Sequence, residues 1–128
     1  MILLLGKGSV EIRILVAFED EYRAFRDTIA EALRVLRPGD EVEAAGLGAI
    51  GNRVARFDPH LVIASVPNAF DPGGRVAWVE LSPDPEMPSE VCVGGRRREA
   101  ANPSVEDLVF VAEETEGLIG EERNPRAC

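Results

Sequence analysis

Glu19 and Asp20 stand side by side where the apolar run Ile12 to Phe18 ends. Adjacent carboxylates at the C-terminal end of a strand lie where open α/β sheets gather their ligands. With a phosphate or a third carboxylate, Glu19 and Asp20 would hold Mg²⁺; the same pair is equally placed to cap a following helix. A second pattern, Gly46-Leu-Gly48-Ala-Ile-Gly51, matches Gly-x-Gly-x-x-Gly between an expected strand and an expected helix, where backbone amides can approach a pyrophosphate. The acid that should hold the ribose about 20 residues on is missing, since Ser65 and Val66 stand there. Gly46, Gly48 and Gly51 therefore support a dinucleotide site only as the alternative to a glycine-eased turn.

The other candidates are sparser. Gly6-Lys7-Gly8-Ser9 lacks the leading glycine and spacer of a phosphate loop. Arg96-Arg97-Arg98 is the one basic cluster, and can grip a phosphate or an acidic surface, although a solvated strand accounts for it more simply. His60 is the only histidine and has no cysteine or acid at ligand spacing. No nucleophile elbow and no complete catalytic constellation are present, so no cofactor is expected and the chain does not read as an enzyme.

These residues need elements to position them. Ile12 to Phe18 and His60 to Val66 are the most apolar runs and read as strands buried on both faces. Between them, Tyr22, Phe25, Ile29, Leu33 and Leu36 recur at helical spacing, with Asp20 as the expected cap and Pro38-Gly39 as the stop. A strand over Glu41 to Ala45 and a helix over Ala49 to Phe57 complete a β-α-β-α-β order that calls for parallel pairing. Prolines and glycines between Val66 and Val76, and Pro83, Pro85 and Pro88, leave the third and fourth helices eroded. Val76 to Leu81 reads as a strand. Glu90 to Val93 and Arg96 to Ala101 form an expected hairpin about Gly94-Gly95, its first strand antiparallel or at the edge. Ser104 and Asp107 open a last helix bearing Val105, Leu108, Val111, Ala112 and Thr115.

The chain has 128 residues, the size of one domain, and 23 acids against 14 bases leave a net charge of −9. That charge opposes phosphate backbones and anionic lipid, so neither nucleic acid nor membrane is an expected partner. Met1 to Leu5 is apolar, but its first positive charge follows the run and the run is short for a signal peptide or a span; residues 1–10 are an added strand or a leader. Cys92 and Cys128 read as reduced thiols of a cytoplasmic protein, without a structural disulfide. After Gly120 the tail over 120–128 reads as flexible.

With the elements laid out, residues 11–119 resemble a response-regulator receiver domain. Ile14-Leu-Val-Ala-Phe-Glu-Asp-Glu21 is similar to the family's first strand and acidic pocket. Gly48-x-x-Gly51 is similar to the opening of its second helix, and Asp58-Pro-His-Leu-Val-Ile-Ala-Ser65 to its third strand. The resemblance implies a doubly wound, flavodoxin-like, mostly parallel five-stranded α/β sheet, with an extra hairpin near residues 90–101. It places the metal-binding pair on Glu19 and Asp20, the phosphoacceptor on Ser65, the hydroxyl position on Ser82 and the lysine position on Asn102. Because Ser65 is a far weaker nucleophile than a carboxylate and Asn102 carries no charge, phosphoryl transfer is lost on this resemblance. It implies a degenerate receiver whose role in signalling or regulation is to bind a protein. The eroded helices further predict bare apolar sheet around Val76, Trp78, Val91 and Val93, and hence a homodimer or a partner interface there.

Overall fold

The computed structural model describes residues 11–65, 74–121 and 125–128. Six strands form one sheet: β1 (Arg13–Phe18), β2 (Glu41–Gly46), β3 (Leu61–Ser65), β4 (Ala77–Leu81), β5 (Pro88–Val93) and β6 (Arg96–Ala101), in the order β2-β1-β3-β4-β5-β6. β1 pairs in parallel with both β2 and β3, and β4 continues the parallel set beside β3. β5 then runs antiparallel to β4, and β6 antiparallel to β5. The fold is thus α/β with a mostly parallel sheet, but among the described residues that sheet has six strands, not five. Both arms of the hairpin belong to it, and the edge is β6 rather than β5. A link of six residues between β4 and β5 is too short to carry a chain back for parallel pairing, which explains the reversal.

Among the described residues, three α-helices cover the sheet: α1 (Arg23–Leu36), α2 (Ile50–Phe57) and α3 (Val105–Glu121). Strand alternation sorts the core into two layers. Ile14, Val16, Phe18, Leu61, Ile63, Val79, Val91 and Val93 pack with Ile29 and Leu33 of α1 and with Leu108 and Val111 of α3. Leu15, Ala17, Val62 and Ala64 meet Ile50 and Val54 of α2 on the other face. Residues 14–18 are fully buried, which is why β1 reads as an unbroken apolar run.

The helix ends follow local chemistry. Ser104 Oγ accepts the Asp107 N–H at 3.1 Å while the Asp107 carboxylate accepts the Ser104 N–H at 2.8 Å, a reciprocal box with aspartate in the acidic place. α1 differs from its expected start. Residues Asp20–Tyr22 form a single 3-10 turn, and neither that turn nor α1 has a side-chain cap, so Asp20 does not cap the helix. Within α1 the buried stripe is Ile29, Ala30 and Leu33; Leu36 is exposed, and Phe25 is 43% exposed while meeting Phe18 edge-on at 5.7 Å.

Two further expectations are overturned. Cys92 and Cys128 are joined in a disulfide with a Cα separation of 6.0 Å, so they are not reduced thiols. That bond removes the ground on which a cytoplasmic location rested. α3 continues to Glu121, and the Cys128 N–H donates to the Arg75 carbonyl at 2.8 Å, lying against the start of β4. Finally, Val91 and Val93 are 3% and 6% exposed because they share the face that α3 covers; they are core, not bare sheet. Trp78 faces the opposite way, half-buried against the α2 layer. Residues 1–10 and the expected remnant helix between Val66 and Gly73 lie outside the described residues. The described link from Ser82 to Met87 contains no helix.

Candidate functional site

β1, β3 and β4 all end at one edge of the sheet, and four of the five positions that the resemblance singles out, Glu19, Asp20, Ser65 and Ser82, lie at those ends. Ser65 closes β3 with no exposed surface, and its Oγ accepts the Glu19 backbone N–H at 3.2 Å. A hydroxyl therefore ties the end of β3 to the residue that follows β1. Asp20 is exposed beside the end of β2, where a Cβ on Gly46 would lie only 3.3 Å from its Oδ1. Gly46 thus leaves room for the Asp20 carboxylate.

Ser82 follows β4 and is also buried, but its groups are turned to its own loop. Its N–H donates to Ser89 Oγ at 2.8 Å, and its Oγ donates to the Asp84 carbonyl at 3.0 Å. Asn102 is not brought to the pocket. It follows β6, in the left-handed region at φ 46°, and β4 and β5 stand between β6 and Ser65. Three strand spacings amount to about 14 Å. The extra antiparallel strand displaces Asn102 by one strand from where the resemblance puts it. Among the described residues no three His, Cys, Asp or Glu side chains converge as a metal site, so Glu19 and Asp20 stand without a third ligand of those types.

The glycine-rich turn is built differently from a dinucleotide fingerprint. Gly46 is extended at φ −73°, ψ 151°, a 3-10 turn over Leu47–Ala49 intervenes, and α2 begins only at Ile50. β2 is also an edge strand of the sheet, opposite β6. With Asp20 Oδ1 against Gly46, a pyrophosphate at that turn would meet a carboxylate first.

At the opposite edge lies a cluster with structural work. The Arg13 N–H donates to His60 Nδ1 at 2.9 Å, and the His60 N–H donates back to the Arg13 carbonyl at 2.9 Å. Burial and the neighbouring Arg13 guanidinium hold the His60 imidazole below its usual pKa. Asp58, in the left-handed region at φ 52°, accepts from Arg75 at 2.6 Å, which holds its carboxyl below the ordinary value.

A concavity of about 980 Å³ opens between the β5–β6 turn and the C-terminal half of α3. Arg96, Arg98, Glu114, Leu118, Glu121 and Arg126 are among its lining residues. The Arg96 to Arg98 cluster was visible in the sequence. Arg126 was not, because only the disulfide brings the tail to this wall, and cysteines this far apart carry no spacing signal.

Comparison of the chain with protein-family models, with curated proteins and with solved structures finds no match. Among the described residues, no helix is long and apolar enough to cross a membrane.

Proposed function

We propose that this chain is a receiver-like module that binds a protein partner and does so without phosphorylation. The observation that carries the reading is Ser65. It ends the third strand of a β2-β1-β3-β4 parallel set, beside Glu19, and on this reading it stands in for the aspartate with which a receiver would attack phosphorus. A buried hydroxyl already accepting an amide N–H, with no histidine beside it to act as base, is a poor nucleophile. The only lysine of the chain is Lys7, so the charge that would neutralise a phosphoryl oxygen is not supplied from the lysine position, where Asn102 stands. What remains of a receiver is its binding surface. On this reading, association uses the Trp78 face of the sheet, in a homodimer or with a partner, because α3 already covers Val91 and Val93.

The test is incubation with acetyl phosphate and Mg²⁺ followed by intact-mass measurement. An unchanged mass supports the reading, and a stoichiometric phosphoryl adduct contradicts it. NAD, NADP, FAD and ATP should leave the melting temperature unmoved, since a ligand bound only by the folded state must raise it.

A further inference from the structure

The cleft between the β5–β6 turn and α3 holds positive charge that has no ion-pair partner among the described residues. Acids outnumber bases by 23 to 14, so carboxylate partners are in excess. Most arginines accordingly have one: Arg98 pairs with Glu114 at 3.1 Å across this cleft, and Arg97 pairs with Glu90 at 3.2 Å. Arg96 and Arg126 are exposed at the cleft and, among the described residues, neither has an ion-pair partner.

Their juxtaposition is built. Arg96 lies across from Val93, the position that faces α3, so its side chain starts on the cleft side of the sheet. Arg126 is brought to the same place by the tail. A Cβ on Gly95 would lie 3.5 Å from both the Arg126 side chain and the Ala127 carbonyl, and two residues on Cys128 is bonded to Cys92. Gly94 lets the turn press on Leu118, whose Cδ1 would be 2.7 Å from a Cβ there, giving the cleft an apolar floor. Glu121, also without an ion-pair partner among the described residues, lines the same cleft and offers an acceptor for hydroxyl groups.

We propose that this cleft binds a small phosphate monoester, its phosphoryl oxygens held between Arg96 and Arg126, with the Cys92–Cys128 bond keeping Arg126 in place. Two guanidinium forks match a dianion better than the single charge of a carboxylate. The volume of the cleft takes more than a bare phosphate, and Glu121 suits a hydroxylated carbon skeleton. This site is remote from Ser65 and does not rest on the receiver reading. Acetyl phosphate leaves no covalent mass on it, so the two tests fail separately.

The test is calorimetric titration of the oxidised full chain, at fixed ionic strength, with inorganic phosphate and with glycerol phosphate. Saturable binding is expected for both, tighter for glycerol phosphate. Arg96→Gln and Arg126→Gln should each weaken it about tenfold, with circular dichroism reporting an unchanged fold. The Cys92→Ser/Cys128→Ser double variant should match Arg126→Gln and not add to it. No saturable heat, or equal affinity in the Arg96→Gln/Arg126→Gln double variant, overturns the proposal.

Discussion

Ser65 Oγ, at the end of β3, accepts the backbone N–H of Glu19, just past the end of β1, at 3.2 Å. The bond joins two neighbouring parallel strands at the edge where a receiver would do its chemistry. Ser65→Ala leaves that N–H without its acceptor and should cost about 1 kcal/mol, read from the urea midpoint. Ser65→Asp keeps an acceptor but places a third carboxylate in a fully buried position near Glu19 and Asp20. It should lower stability by about 2 kcal/mol in EDTA. Millimolar Mg²⁺ should restore part of that loss in the aspartate variant and have no such effect on the parent. A Mg²⁺-insensitive variant would show that the three side chains do not converge.

Arg37 joins α1 to α3. Its guanidinium donates to Asp40 at 2.7 and 3.3 Å and to Glu116 at 2.8 Å, while Asp40 Oδ1 also accepts the Ile12 N–H at 3.2 Å. The Arg37 and Asp40 side chains are only 13% and 4% exposed. Removing the arginine strands a nearly buried carboxylate, so Arg37→Ala should cost about 3 kcal/mol. Arg37→Met/Asp40→Asn should recover much of that, because the nearly buried Asp40 charge is gone and only the more exposed Glu116 carboxylate is left. Chemical denaturation of both variants measures the difference.

Much of the frame was legible in the sequence, for a physical reason. β1, β3, α1 and α2 announce themselves through apolar periodicity, and the Gly94-Gly95 turn through residues at φ 59° and 83° that side chains rarely adopt. β5 starts at Pro88, two residues before the expected strand, because a strand's first residue tolerates proline. What was not legible depends on layers. The alternation along β5 breaks at Cys92, itself 3% exposed between Val91 and Val93, and only the packing of α3 on β5 decides that the two valines are core. Likewise Asn102 keeps its place in sequence order before the last helix, yet one inserted strand moves it away from Ser65.

The disulfide makes its own prediction. It closes a separation of 36 residues and anchors the end of the chain beside β4. On the chain-entropy account such a link stabilises by about 4 kcal/mol. Reduction, or Cys128→Ser, should therefore lower the melting temperature, and the oxidised chain should show no free thiol to alkylating reagents before unfolding. Trp78 lies opposite Cys92 in the β4–β5 register. Its fluorescence should rise on reduction if the sheet stays folded, as the disulfide is a contact quencher.

His60 supplies a pH dependence whose sign the geometry decides. Because Nδ1 accepts the Arg13 N–H, the ring is neutral with its proton on Nε2, and protonating Nδ1 breaks that bond. Burial first, and the Arg13 guanidinium second, hold the folded pKa below the ordinary 6.5. The unfolded chain therefore binds more protons than the folded one in the interval between the two values. Stability from this group is complete above about pH 6.5 and falls as the pH drops toward the folded value. The carboxyls of Asp27 and Asp58, held low by Arg26 and Arg75, titrate below the ordinary 3.8 and leave the interval from pH 7 to 5 to the histidine. Urea midpoints taken across that interval should decline for the parent. His60→Asn, whose amide oxygen can accept the same N–H without titrating, should flatten the slope; an equal decline in the variant would assign the effect to another group.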